Sequence, residues 1–175
     1  MNPSYCRIRI PFDEALIRFA AWNQLPQVGP LVPTDAVKAN RLACDDRGNW
    51  RGYAVFVSEV SGWTLFEDLS GALGGISASK WLEFAGQDEL IVAGYNDAIP
   101  YGALVVVSGG CVIREFLEDL QSPEANVNIG LTDLPGEPFG TWIDVAGFVD
   151  EDELGFSESG FLWVWGVVGQ VTQGG

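Results

Sequence analysis

The sequence contains no histidine among its 175 residues. Histidine is the side chain that most often serves as a general base or a metal ligand near neutral pH. Its absence excludes Ser-His-Asp and Cys-His catalytic arrangements. The segment 155–160 (GFSESG) has some likeness to a nucleophile elbow, but it departs from the GxSxG spacing and has no base to activate a serine.

Cysteine is scarce, and neither metal nor nucleotide motifs are found. The three cysteines, Cys6, Cys44 and Cys111, are far apart and form no CxxC pair. This pattern predicts neither a disulfide framework nor a zinc site, and it favours a reducing compartment. The glycine-rich segment 71–75 (GALGG) matches neither GxxxxGK[ST] nor GxGxxG, and the segment 150–156 (DEDELGF) lacks the pattern of an EF-hand loop. We therefore predict no cofactor and no metal.

Long apolar runs are also missing. The first 14 residues, MNPSYCRIRIPFDE, lack the apolar segment of a signal peptide. The longest apolar run, residues 161–168, is interrupted by Gly166 and is too short to span a bilayer. These features predict a soluble cytoplasmic protein.

Basic residues are almost absent from most of the chain. The first 51 residues carry seven basic and five acidic side chains, whereas residues 52–175 carry two basic and 19 acidic ones, and the formal net charge is −15. Net charge of this size bears on partners rather than on fold. It disfavours binding to nucleic acid or to an anionic membrane, and it favours basic protein partners.

The composition that remains predicts a folded protein despite this charge. Hydrophobic residues make up 47% of the chain and aromatic residues 12%, whereas disordered acidic chains are poor in aromatics. Seven tryptophans are spread along the whole length. We predict a single domain over residues 1–175, with a helical and loop portion at 1–49, a β-rich core at 50–168 and a tail at 169–175.

Hydrophobic periodicity predicts an α+β fold, with a mostly antiparallel sheet of about six strands and three or four helices packed on one side of it. Ser61-Gly62 and Gly109-Gly110 are typical of hairpin turns. Thr34 is predicted to cap one helix, and Thr141 with Asp144 forms a capping-box pattern at the start of another. Residues 121–140, which are rich in proline and glycine, are predicted to be a loop.

Acidic residues collect next to apolar elements at several points of the sequence. Charge around apolar anchors is typical of a protein-binding surface, and it is equally typical of edge strands protected against aggregation. Loop residues on a rigid scaffold often carry binding, so aromatic and acidic residues around the Asn96-Asp97 turn are added as candidates. The predicted partner-binding residues are Glu67, Asp68, Tyr95, Asp97, Tyr101, Glu115, Glu118, Asp119, Asp150, Glu151, Asp152 and Glu153.

Three segments carry a resemblance to a known group of proteins. They are residues 62–74 (GWTLFEDLSGALG), residues 93–102 (AGYNDAIPYG) and residues 114–119 (REFLED). Over about residues 50–165 the chain resembles the small acidic immunity proteins of bacterial polymorphic toxin systems. The resemblance implies a protein that binds and silences a cognate toxin inside the cell that makes it. Its motifs are strand and turn signatures, so it implies no functional residue and no particular toxin.

Two further hypotheses remain open at this point. One is a hydrolase that uses a carboxylate pair, since glycosidases need only two acids about 5–10 Å apart. It predicts a deep cleft that holds two close acids, at least one of them with a raised pKa. The other is a non-catalytic scaffold domain. The sequence leaves the oligomeric state undetermined.

Overall fold

The computed structural model describes residues 4–25, 28–130, 133–151 and 155–166. Within them the chain forms nine strands and four helices, and the α+β class is confirmed. The strands are β1 (Ser4–Ile8), β2 (Leu31–Asp35), β3 (Tyr53–Val60), β4 (Trp63–Asp68), β5 (Leu90–Asn96), β6 (Tyr101–Ser108), β7 (Cys111–Asp119), β8 (Val127–Gly130) and β9 (Ser159–Trp165). The helices are α1 (Phe12–Trp22), α2 (Ala36–Leu42), α3 (Ala78–Ala85) and α4 (Trp142–Asp150).

All the described strands join one antiparallel sheet in the order β2-β9-β3-β4-β1-β5-β6-β7-β8. The prediction of about six strands was therefore too low. The sequence patterns indicate six or seven strands, and the two strands that no pattern indicates, β2 and β8, are the edges of the sheet. Strand β8 lies inside the predicted loop 121–140. Strand β2 contains Pro33, which edge strands tolerate, and it pairs with the distant strand β9. Strand β8 has only four residues and is separated from its partner β7 by a loop.

The helices pack on both faces of the sheet, so the predicted one-sided packing is wrong. On one face α1 packs on β4, with Phe19 stacked on Phe66 at 4.6 Å between ring centroids, and α3 packs on α1, β6 and β7. On the other face α4 packs on β5 and β6, and α2 packs on β3 and β9. The central strands are apolar on both sides, as the consecutive buried residues Val55–Val57 illustrate, and such strands need cover on both faces.

The predicted turns are confirmed by their backbone geometry. Gly109 and Gly110 have φ of 56° and 76°, and Ser61 and Gly62 have φ of 51° and 80°. Positive φ at both central residues matches the twist of a two-residue hairpin.

The helix starts are partly as predicted. The Asp144 carboxylate accepts hydrogen bonds from the backbone N–H groups of Gly140 and Thr141, both at 2.8 Å, which confirms the predicted start of α4. Helix α2 is capped by Asp35 rather than by Thr34, because the Asp35 carboxylate accepts the N–H of Lys38 at 2.8 Å.

A buried ion pair fixes the segment between β8 and α4. The side chains of Arg114 and Glu137 are each 1% exposed, and Nε of Arg114 lies 2.5 Å from Oε1 of Glu137. Arg114 also donates to the Ile129 carbonyl and to Asn128, while Glu137 accepts the N–H of Phe139. These bonds offset the desolvation of two buried charges.

Gly102 of β6 allows the start of helix α4 to pack close to the sheet. A Cβ atom at Gly102 would lie 2.8 Å from the Cα atom of Trp142, so only glycine lets the helix start approach β6 this closely. In the described part of the chain, no helix combines the length and the hydrophobicity needed to cross a lipid bilayer.

Candidate functional site

The strand register brings most of the predicted site residues to one end of the sheet. Tyr101, the first residue of β6, pairs with both Asn96 and Asp119, the last residues of β5 and β7. Ser4 of β1 pairs with Gly94, and Tyr5 pairs with Glu67 near the end of β4. We call this end of the sheet, with the turns and the helix terminus beside it, the acidic end. Its acidic residues are Glu67, Asp68, Asp97, Glu118, Asp119, Asp150 and Glu151.

Helix α4 brings its last residues to the acidic end. The Tyr95 hydroxyl donates to the carboxylate of Asp150, with distances of 3.1 and 3.3 Å to the two oxygens. Burial raises the pKa of Tyr95, and the nearby charges of Asp150 and Asp97 raise it further. Since α4 ends with exposed Asp150 and Glu151 side chains, acids from distant parts of the sequence gather here.

The second predicted tyrosine lies beside another acid of the acidic end. Tyr101 is half-buried, and its pKa is raised by burial and by the charge of Asp119. Asp97 is exposed in the turn between β5 and β6. Among the residues that the structure describes, no basic side chain forms an ion pair with Asp97, Asp119 or Asp150. These carboxylates therefore leave an unneutralised negative field at the acidic end.

Asp68 holds the backbone together rather than facing solvent. The residue is 8% exposed, and its carboxylate accepts four backbone N–H groups from the following turn, Ser70 to Leu73, at 2.8–3.2 Å. Burial raises the pKa of Asp68, and the four N–H groups oppose this rise. The side chain shapes the turn that follows β4, and little of it is open to a partner.

Two other predicted acids, Glu118 and Glu115, are also not available for a partner at the acidic end. The Glu118 carboxylate accepts the backbone N–H of Trp142 and so caps the start of α4. Glu115 lies in the middle of β7, opposite Val105, and is therefore away from the acidic end. Of the acids predicted at the end of β7, Asp119 is the one placed beside the tyrosines.

Glu67 lies on the opposite face of the sheet from the helices α1 and α3. The side chain is half-buried, and its Oε1 atom has no hydrogen-bond partner among the described residues. Burial raises the pKa of Glu67 to about 7, although the positive charge of Arg7 lowers it in part. Asp152 and Glu153 complete the predicted set, and they lie outside the described residues.

A cleft of about 710 Å³ opens at the acidic end, on the face covered by α1 and α3. Its floor is apolar and includes Trp81, Val92 and Val105, and one wall is the turn from Gly71 to Ile76. Four predicted site residues contribute to the lining, namely Asp68, Tyr95, Asp97 and Tyr101. The described residues that line the cleft include two carboxylates and no lysine or arginine.

Two apolar residues at the acidic end were not predicted as site residues. Ile99 is 41% exposed in the turn after β5, and Leu120 is 55% exposed just after β7. The Leu120 N–H donates to the Pro100 carbonyl at 3.2 Å, which holds the two segments together. Turns are normally polar, so an apolar residue in or beside a turn could have indicated a binding residue from the sequence alone.

In the described ranges, no group of three or more histidine, cysteine, aspartate or glutamate side chains is placed to hold a metal ion. Exposed apolar residues beside exposed carboxylates, as found at the acidic end, are typical of protein-binding surfaces. Comparisons of the chain with protein-family profiles, with curated proteins and with solved structures find no match, so its function is argued from this geometry.

Proposed function

We propose that this chain is a cytoplasmic immunity protein that binds a basic bacterial toxin domain through the acidic end and so occludes it. The observation that carries the proposal is the gathering of Asp97, Asp119, Asp150 and Glu151 at one end of the sheet, by the strand register and by the bond between Tyr95 and Asp150. Toxin domains that act on nucleic acids or nucleotides hold phosphates and are typically cationic. A negative surface is complementary to such a partner.

The unpaired carboxylates support fast association. The two basic residues that follow position 51 in the sequence are already paired, Lys80 with Glu83 at 2.6 Å and Arg114 with Glu137. They therefore do little to offset the charge of the acidic end. Complementary fields of this kind raise association rates toward about 10⁸–10⁹ M⁻¹ s⁻¹ at low salt.

Exposed apolar groups would then hold the partner. Ile99 and Leu120 are exposed at the acidic end. Each has an acid close by in the sequence: Asp97 is two residues before Ile99, and Asp119 directly precedes Leu120. Interfaces commonly combine a few apolar anchors with a charged rim, and the anchors dominate the dissociation rate. We assign the charged residues to association and the apolar residues to the lifetime of the complex.

A hydrolase that uses a carboxylate pair is less well supported. The cleft does hold two carboxylates, and burial raises the pKa of one of them, Asp68. However, both oxygens of Asp68 accept backbone N–H groups, so proton transfer through this residue would break the turn that it holds. Asp97, the other carboxylate, is exposed in a turn, where water surrounds it.

Coexpression tests the proposal. The chain would be produced together with the protein encoded by the neighbouring gene, and cell growth would be measured. Two variants with the same change in net charge provide the comparison. In the acidic-end variant Asp97→Asn, Asp150→Asn and Glu151→Gln are combined, and in the opposite-end variant Asp13→Asn, Glu59→Gln and Glu158→Gln are combined. All six residues are exposed.

We expect the wild type and the opposite-end variant to protect the cells, and the acidic-end variant to protect them less. An asparagine at position 150 keeps an oxygen that can accept the Tyr95 hydroxyl, and the other five substitutions should each change stability by only about 0.5 kcal/mol, so folding should be retained. Equal protection by the two variants would place the interface elsewhere. Absence of protection by the wild type would remove the immunity role for that gene pair.

A further inference from the structure

The cleft at the acidic end has features that point to one kind of occupant. Its volume of about 710 Å³ is within the range of about 300–1,000 Å³ that is usual for sites that enclose a ligand. A space of this size exceeds what one side chain fills, so it has room for a short projecting segment of another protein.

The floor of the cleft is suited to an aliphatic chain. Val92 and Val105 lie on neighbouring strands β5 and β6 and are paired in register, and Trp81 of α3 lies beside them. Arginine and lysine carry long aliphatic stems that cover apolar surface while the charged group remains near polar atoms. The floor can therefore accept the stem of such a residue.

The rim of the cleft is suited to a positive charge. Asp97 provides an exposed carboxylate, and the Tyr101 phenol lies close enough to Asp119 to feel its charge. The described lining contains no basic residue that would compete for these groups. Space is open beside Gly71 and Gly75 in the wall, because a Cβ atom at either position would meet nothing within 4 Å.

We propose that this cleft receives a projecting segment of the toxin partner that carries an arginine. The arginine stem lies on Ala103, which sits between Val105 and Tyr101 on β6, and its guanidinium reaches the Asp97 carboxylate and the Tyr101 ring. Arginine is favoured over lysine because its planar group binds a carboxylate through two hydrogen bonds and also stacks on aromatic rings. The inference rests on the proposed function, since it names the group by which a basic partner is recognised.

A peptide titration tests the inference without any partner protein. The isotope-labelled chain would be titrated with acetyl-Gly-Arg-Gly-amide while its backbone amide resonances are recorded by NMR. We expect saturable shifts at Gly71, Gly74 and Asp97. A matched peptide with citrulline in place of arginine keeps the shape and loses the charge, and we expect it to bind about fivefold more weakly, as an exposed charge pair would give.

Two variants locate the peptide in the cleft. Ala103 lines the cleft on β6, so Ala103→Phe should fill it and abolish the shifts, whereas Ala125→Phe, at an exposed site outside the cleft, should leave them unchanged. Asp97→Asn should weaken arginine binding about fivefold, and Asp13→Asn should not weaken it. If Ala103→Phe fails to fold in a thermal melt, the exposed Asp97 position still decides the outcome.

The results separate this inference from the proposed function. The cleft inference would be overturned if the arginine and citrulline peptides bound equally well, or if Asp97→Asn left binding of the arginine peptide unchanged. Neither outcome would affect the coexpression result. Arginine-selective binding together with no protection by the wild-type chain would leave the cleft as a guanidinium site and overturn the immunity role.

Discussion

The Tyr95 hydroxyl lies 3.1 Å from the nearer carboxylate oxygen of Asp150, and this hydrogen bond ties the last residue of α4 to β5. The two residues are 55 positions apart in the sequence. Their contact places the α4 terminus, with its exposed carboxylates, at the end of the sheet where β5 and β7 also finish.

The first prediction concerns this bond. Tyr95→Phe removes the donor and should lower the free energy of unfolding by about 1 kcal/mol, the usual contribution of one hydrogen bond. Tyr53→Phe is the matched control, because Tyr53 is 52% exposed and its hydroxyl forms no hydrogen bond with any described residue. Urea denaturation of both variants gives the comparison. Equal losses in the two variants would show that the Tyr95 bond contributes nothing.

The second prediction concerns Asp68. Asp68→Asn leaves one acceptor oxygen and places an N–H₂ group against backbone donors, so we expect a loss of about 2–3 kcal/mol in the free energy of unfolding. Asp97→Asn is the control, because Asp97 is exposed and should change stability by no more than about 0.5 kcal/mol. A loss of less than about 1 kcal/mol for Asp68→Asn would contradict the turn-holding role of its carboxylate.

The third prediction compares two glycines. Gly102→Ala forces the new Cβ atom against the backbone of Trp142, and overpacking of this kind costs about 1–3 kcal/mol. Gly147→Ala, inside α4, adds a Cβ atom that meets nothing within 4 Å and should stabilise the protein by about 0.5–1 kcal/mol. Thermal or chemical denaturation measures both changes. Stabilisation by Gly102→Ala would show that α4 starts farther from β6 than described here.

The fourth prediction concerns pH. Burial raises the folded-state pKa of Glu67 to about 7, above its ordinary value of 4.5. Between these two pH values the folded protein therefore keeps a proton on Glu67 that the unfolded chain has lost. The stability linked to this proton is present below pH 4.5 and is lost as the pH rises through about 7.

Glu67→Gln isolates this effect, because glutamine does not titrate. The free energy of unfolding of the wild type minus that of the variant should fall between about pH 5 and about pH 8. Denaturant titrations at the two pH values measure it, and Glu59→Gln, at an exposed site on β3, provides the control. A difference that is independent of pH, or that rises with pH, would contradict the burial of the Glu67 carboxyl.

Local patterns predicted much of the fold. Apolar periodicity together with capping residues predicted three or four helices, and the hairpin at Gly109-Gly110 follows from the positive φ that both glycines adopt. The edge strands β2 and β8 could not be predicted in the same way. Pro33 opposes a strand at the local level, and β8 has only four residues, so each depends on pairing with a strand that is distant in the sequence or separated by a loop.

The site was harder to predict than the elements. The acidic clusters at the ends of β4, β7 and α4 could be identified in the sequence. The sequence does not show that these ends lie together, because strand order and register determine their positions. Nor does the sequence show that Asp68 and Glu118 are occupied by backbone N–H groups. Those bonds depend on turn geometry and on where α4 starts against β6.

The most direct measurement of the central claim is the rate at which the chain associates with the toxin domain encoded beside it, as a function of ionic strength. We expect the rate to fall at least tenfold from low to high salt, within the range known for electrostatic steering. The acidic-end variant should associate more slowly than the opposite-end variant, although both have lost three charges. A rate that is flat with salt, or equal for the two variants, would contradict the account.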